Sequence, residues 1–159
     1  MIVMRRKTMI KTIEKKAEKA AITRSILQQL PEWFGIEDAT KAYIENSQEL
    51  PFFAKVVNKK AVGFIALKAT SNHTAEIYCI GILKNYHRQG FGKELVLEAE
   101  NYAKQNGYRF MQVKTVESGH YTLYDQTAAF YRSLGFYELE VFPTLWDKHN
   151  PCQVFIKAL

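Results

Sequence analysis

The chain has 159 residues, 47% hydrophobic and 24% charged, with 22 Lys+Arg against 16 Asp+Glu and a formal net charge of +6. That supplies enough apolar material for one packed domain and excludes an intrinsically disordered segment. The cation surplus admits nucleic acid, an acidic membrane or a polyphosphate ligand, but no run approaches the roughly 20 apolar residues of a membrane span.

The one dense basic run, Met1 to Lys19, is expected to be a solvated terminus and helix face, and no apolar segment follows Arg5, Arg6 and Lys7 as a signal peptide requires. Met9–Ile13 has the pattern of a short strand. Ile22, Ile26 and Leu30 recur at four-residue steps with Leu27 beside them, which predicts a helix from Lys16 to Leu30, stopped by Pro31. A second helix is predicted from about Asp38 to Asn46. The period then changes: Phe52–Val57 and Ala61–Lys68 are β-rich and joined at Asn58-Lys59-Lys60, a hairpin pattern.

Ala75–Leu83 is a third apolar run. After a loop holding Gly90 and Gly92, a helix is predicted from about Phe91 to Asn106, with Leu95, Ala99, Tyr102 and Ala103 as its stripe and Gly107 as its stop. Phe110–Val116 alternates as a strand, Tyr124–Leu134 reads as a short helix closed by Gly135, and strands near Phe136–Phe142 and Gln153–Lys157 complete the chain. Without a linker or internal repeat, residues 1–159 are expected to form one α+β (mixed α/β) domain with helices on the faces of a sheet. Cys79 and Cys152 fall in apolar runs without metal spacing. Two buried free thiols in a reducing, cytoplasmic setting are the expectation.

The loop His87-Arg88-Gln89-Gly90-Phe91-Gly92-Lys93 lies between a predicted strand and a predicted helix. It is not a Walker A loop, because Gly92-Lys93 is followed by Glu94 and the position five before Gly92 is His87. Nor is it a dinucleotide fingerprint, because the third glycine position is Leu95. A backbone cradle remains: the first turn of a helix has free N–H groups and a partial positive charge, and glycines remove the Cβ atoms that would hold an anion away.

Residues 87–92 resemble the Q/R-x-x-G-x-G/A acetyl-CoA-binding motif of the GNAT superfamily of N-acetyltransferases, with His87 standing at the Gln/Arg position. Downstream, Thr127-Ala128-Ala129-Phe130-Tyr131-Arg132-Ser133-Leu134-Gly135-Phe136 is similar to that superfamily's A-x-x-F-Y-x-x-L-G-F segment. Thr127 replaces the usual Ala, and Tyr124 stands where many members carry an Asn that contacts pantetheine, so that contact does not transfer. The resemblance extends from about Pro51 to the C-terminus. The arms Leu30–Gly35 and Leu145–Cys152 are similar to an uncharacterised bacterial branch.

The resemblance implies a mostly antiparallel twisted sheet with splayed fourth and fifth strands, flanked by helices. It implies acetyl-CoA as co-substrate, held by Arg88, Gln89, Gly90, Phe91, Gly92 and Lys93 together with backbone groups of Ile80 and Ile82; His73, His87 and His149 have no partners at metal spacing, so no metal is expected. Ile80 N–H is then the donor to the thioester oxyanion. Tyr131 is implied as the general acid, since a phenol with pKa about 10 can protonate a thiolate of pKa about 8.5. The amine acceptor needs a base, because a Lys-like amine of pKa about 10.4 is protonated at neutral pH. Glu76 is the leading carboxylate for that role, with Glu117 and His120 as rivals. Phe130 and Leu134 are expected to point to the core.

The main reading is thus transfer of an acetyl group to a primary amine of a small molecule or peptide. A module that binds acyl-CoA without turnover is the alternative from another class. Nucleic-acid binding ranks last, for no base-reading motif is present. No membrane partner is expected, and a homodimer is left open.

Overall fold

The computed structural model describes residues 6–159, so the part of the basic run from Met1 to Arg5 lies outside the described residues. In chain order the elements are β1 (Thr8–Thr12), α1 (Lys16–Gln28), α2 (Glu37–Ser47), β2 (Phe52–Val57), β3 (Lys60–Ala69), β4 (Thr74–Ile82) and a 3-10 turn at Lys84–Tyr86. They continue with α3 (Phe91–Gln105), β5 (Phe110–Val116), α4 (Thr122–Ser133), β6 (Tyr137–Asp147) and β7 (Asn150–Ala158). The strands form one mixed seven-stranded sheet in the order β1-β2-β3-β4-β5-β7-β6. β1–β2, β2–β3, β5–β7 and β6–β7 pair antiparallel, whereas β4 and β5 run parallel through Thr74–Ile77 and Phe110–Val113. By backbone proximity there are two units. One comprises the described residues up to Lys68 with Tyr78–Asn101, the other Ala69–Ile77 with Tyr102–Leu159.

In the first unit the apolar face of α1 is the core-forming one. Ile26, Leu27 and Leu30 join Phe52, Ala54 and Val57 of β2, Val62, Phe64 and Ala66 of β3, and Cys79, Leu83 and Phe91. Each large apolar side chain buried in this way contributes about 1.5–3 kcal/mol. The β2–β3 turn is a two-residue hairpin. Asn58 (φ 49°) and Lys59 (φ 69°) both take left-handed backbone, as the twist of a tight hairpin requires. Gly81 is a packing glycine: a Cβ there would meet Ile26 Cγ2 at 3.1 Å and Phe64 Cε1 at 3.2 Å. The solvated helix face expected of the basic run holds for Lys15 and Lys16 but not for Lys19. That residue is buried, with its ammonium donating to the Leu50 carbonyl at 2.7 Å.

In the second unit β5 lies between the first half of β4 and β7, and Met111, Phe136, Cys152 and Phe155 are buried. β6 runs five residues past the predicted end at Phe142, through Pro143 to Asp147. It is the edge strand, where a residue lacking an N–H is tolerated. It leaves Leu139, Phe142, Leu145 and Trp146 exposed. Both cysteines are free and buried.

Candidate functional site

The loop from β4 into α3 is built from the first unit alone. β4 alternates: Cys79, Gly81 and Leu83 are buried, while Ile80 and Ile82 are half-buried with the opposite parity. The 3-10 turn then delivers His87 in extended backbone (φ −67°, ψ 155°). Its Nε2 lies 2.6 Å from the Ile82 carbonyl oxygen, and since a carbonyl only accepts, Nε2 carries the proton. The ring also meets Trp33 edge-on at 5.7 Å. His87, the departure from the Gln/Arg position, therefore clamps the start of the loop back onto the end of β4.

Beyond His87 the backbone turns left-handed twice, at Arg88 (φ 59°) and Gly90 (φ 81°). Left-handed residues set among right-handed ones turn successive N–H groups toward one concave side, the geometry of an anion nest. Among the described residues, none of the N–H groups from Arg88 to Lys93 donates to another backbone carbonyl; the next to do so is Glu94, to Gly90. A Cβ built on Gly90 would meet nothing within 4 Å, so open space lies over this part of the loop. Arg88 and Lys93 are exposed, and among the described residues neither has a carboxylate within 4.0 Å. Free amides, open space and two uncompensated cations are the donor set that a diphosphate fits.

Lys55 of β2 supports the first turn of α3. Its side chain is only 4% exposed, and its ammonium lies 2.5 Å from a Glu94 carboxylate oxygen and 4.5 Å from the Phe91 ring centroid. A buried cation beneath a helix N-terminus opposes the helix dipole, and Glu94 in that first turn offsets both. Neither the role of Lys55 nor that of His87 is readable from sequence pattern alone. A charged residue inside Phe52-Phe53-Ala54-Lys55-Val56-Val57, an otherwise apolar strand, was the available signal for Lys55.

The remaining candidates lie in the second unit. Glu76 is buried, and its Oε1 accepts from Gln112 Nε2 at 2.9 Å and from Lys114 Nζ at 3.0 Å. The strand register explains the cluster: Glu76 stands opposite Gln112, and Lys114 is two residues further along the same face of β5. Cys152 belongs to this environment too. Burial pushes its thiol up, Lys114 opposes that and Glu76 adds to it. Glu117 Oε1 accepts from His120 Nε2 at 3.1 Å, both side chains being partly open to solvent.

On α4 the core-facing residues are Ala128 and Tyr131, while Phe130 and Leu134 are only half-buried. The expectation that Phe130 and Leu134 form the core face is thereby corrected. Tyr131 is 3% exposed, and its ring packs against Phe130 (5.2 Å), Phe136 (5.7 Å) and Phe155 (6.2 Å). Packing of the Tyr131 ring on Phe136 and Phe155 sets the rotation, and Ala128, three residues earlier, falls on the same side of α4. Tyr124, two turns before Tyr131, is half-buried. Burial and the neighbouring Tyr121 ring, 6.0 Å away, push its phenol above the usual range.

Among the described residues no group of three His, Cys, Asp or Glu could hold a metal ion, and no helix is long and apolar enough to cross a membrane.

Comparison with known proteins gives a consistent result. Residues 19–136 match the model of the acetyltransferase (GNAT) family. No curated protein sequence matches the chain. Among solved structures, a GNAT-family protein from Desulfovibrio desulfuricans superposes with a TM-score of 0.82 at 13% identity, over 96% of this chain and 99% of its own. The IAA acetyltransferase from Bacillus cereus gives 0.76 at 21% identity, over 96% and 100%. A GNAT family acetyltransferase from Elizabethkingia anophelis with acetyl-CoA bound gives 0.73 at 16% identity, over 96% and 98%. At these identities the structural likeness concerns the fold.

Proposed function

Because the chain belongs to the acetyltransferase (GNAT) family, we propose that it moves an acetyl group from acetyl-CoA to a primary amine of a small molecule or peptide, by direct attack in a ternary complex. The observation that carries this reading is the loop from Arg88 to Lys93, with left-handed backbone at Arg88 and Gly90 and amides not spent on other carbonyls. The diphosphate of coenzyme A takes those amides, with Arg88 and Lys93 supplying full charge. Acetyl-CoA supplies the activated acyl group.

The chain's own residues then have four tasks. The backbone of Ile80 and Ile82 orders the pantetheine arm. The Ile80 N–H donates to the carbonyl oxygen as negative charge develops there. Glu76 accepts the proton of the attacking amine. Its carboxylate is held ready by Gln112 and Lys114, and the lone pairs not occupied by those donors are the ones available. Tyr131 gives its proton to the departing sulfur. Starting as an ammonium, the nitrogen gives up one proton to the base before attack and a second as it bonds to the acyl carbon and the C–S bond breaks. One of the two is balanced by the proton that reaches the sulfur, and the other passes to water. Glu117 with His120 is the second reading for the base, favoured by their 3.1 Å contact, in which the carboxylate orients the imidazole and stabilises the imidazolium formed when it takes a proton.

Thiol release from acetyl-CoA, followed with a panel of polyamines, aminoglycosides, amino acids and peptides, tests the proposal. The expected result is acceptor-dependent thiol with at least one class. Tight coenzyme A binding with no acceptor-dependent thiol across the panel would replace the enzyme with an acyl-CoA-binding module.

A further inference from the structure

Arg6, just before β1, is 83 positions from Gln89 in the chain, yet its Nη1 donates to Gln89 Oε1 at 2.8 Å. Its guanidinium carbon also lies 4.9 Å from the Tyr86 ring centroid. That ring is in turn stacked at 6.1 Å on Phe91, the first residue of α3. Gln89 is fixed from its other end, where Nε2 donates to the Asn85 carbonyl at 3.1 Å. Arg6 is thus held against the loop by two neutral partners. Among the described residues no carboxylate comes within 4.0 Å of it. A guanidinium has five N–H donors, and the bond to Gln89 uses one of them.

The charges around the loop can be matched with those of the donor. Coenzyme A carries a phosphate monoester on its ribose besides the diphosphate. The monoester is close to a dianion at neutral pH. The amides of residues 88–93 with Arg88 and Lys93 answer the diphosphate. Two other nearby cations are already paired, Lys84 with Glu32 and Lys55 with Glu94. Arg6 is exposed, carries no acidic partner, and presents the planar two-point donor face suited to a phosphate.

We infer that Arg6 is the ligand of the 3′-phosphate of coenzyme A and makes the site select the 3′-phosphorylated nucleotide. The inference rests on the donor-binding reading of the loop. Tyr86 and Gln89 act as positioning residues, holding the guanidinium against the loop.

Calorimetric titration of the wild type and Arg6→Gln with coenzyme A and with 3′-dephospho-coenzyme A tests this. The wild type is expected to bind coenzyme A roughly tenfold more tightly than the dephospho form. Arg6→Gln loses that roughly tenfold advantage, leaves dephospho-coenzyme A affinity unchanged, and melts at the wild-type temperature without ligand because Arg6 is exposed. Equal losses for both ligands, or no loss for either, would overturn the assignment while leaving the donor site intact. A wild type that binds neither ligand would remove the donor site and this inference together.

Discussion

Replacing Gly90 by alanine separates a cost in folding from a cost in binding. The residue sits at φ 81°, and an added Cβ would touch nothing within 4 Å. The folded chain therefore pays only for left-handed backbone, about 1–2 kcal/mol. For a chain of this size each kcal/mol lowers the melting temperature by about 2–4 °C, so a drop of roughly 2–8 °C is expected. The methyl group instead occupies the open space over the loop amides. Losing one charge-assisted hydrogen bond there costs about 1.5–3 kcal/mol, which raises the coenzyme A Kd roughly 10- to 150-fold. Gly107 is the matched control: it follows the far end of α3, has φ 83°, and its Cβ would also meet nothing within 4 Å. Gly107→Ala should show the same loss of melting temperature with unchanged affinity. The assay is thermal unfolding followed by calorimetric titration of both variants. Equal, wild-type affinity in the two would refute the cradle.

Tyr131→Phe should lower kcat at least tenfold and leave the coenzyme A Kd unchanged, because only the proton donor is removed; wild-type turnover would remove Tyr131 as the acid. Glu94→Gln leaves the buried Lys55 ammonium without its carboxylate. Since Glu94 is itself 47% exposed, the cost is held to about 1–3 kcal/mol in urea unfolding. Lys55→Met with Glu94→Gln should recover much of it, and a single variant as stable as the wild type would show that the pair contributes nothing. Burial raises the Tyr124 phenol pKa, so its contribution to stability is fully present below about pH 10 and is lost as pH rises through the folded value. In a phenolate absorbance titration, Tyr124→Phe should delete a component that ionises later than the exposed tyrosines. Loss of an ordinary component instead would contradict the burial argument.

Much of the fold was legible because the periods are clean. Phe52–Val57 stands where its β-rich content placed it and Phe110–Val116 where its alternation did, and the stripe of Ile26, Leu27 and Leu30, in and just after α1, became a core face. β6 outran its pattern because an edge strand is anchored by one neighbour, and Pro143 interrupts nothing that the sheet needs. The orientation of α4 is not readable from pattern: Tyr131 and Phe130 are adjacent and both aromatic, and only packing against Phe136 and Phe155 decides which is buried. The loop stood out as glycines and cations at a strand-to-helix junction, but glycines there serve a tight turn as readily as a cradle, so the cradle reading leaned on the motif around them. Its partners were not visible. Arg6 reaches Gln89 and Lys55 reaches Glu94 across long stretches of chain, and local pattern carries no information about contacts of that separation.

Direct calorimetric titration of the wild-type protein with coenzyme A shows whether the loop from Arg88 to Lys93 holds it. One ligand per chain is expected, with an affinity that weakens as salt is raised, because charge and exposed amides carry the contact. No heat and no thermal protection at millimolar coenzyme A would contradict it.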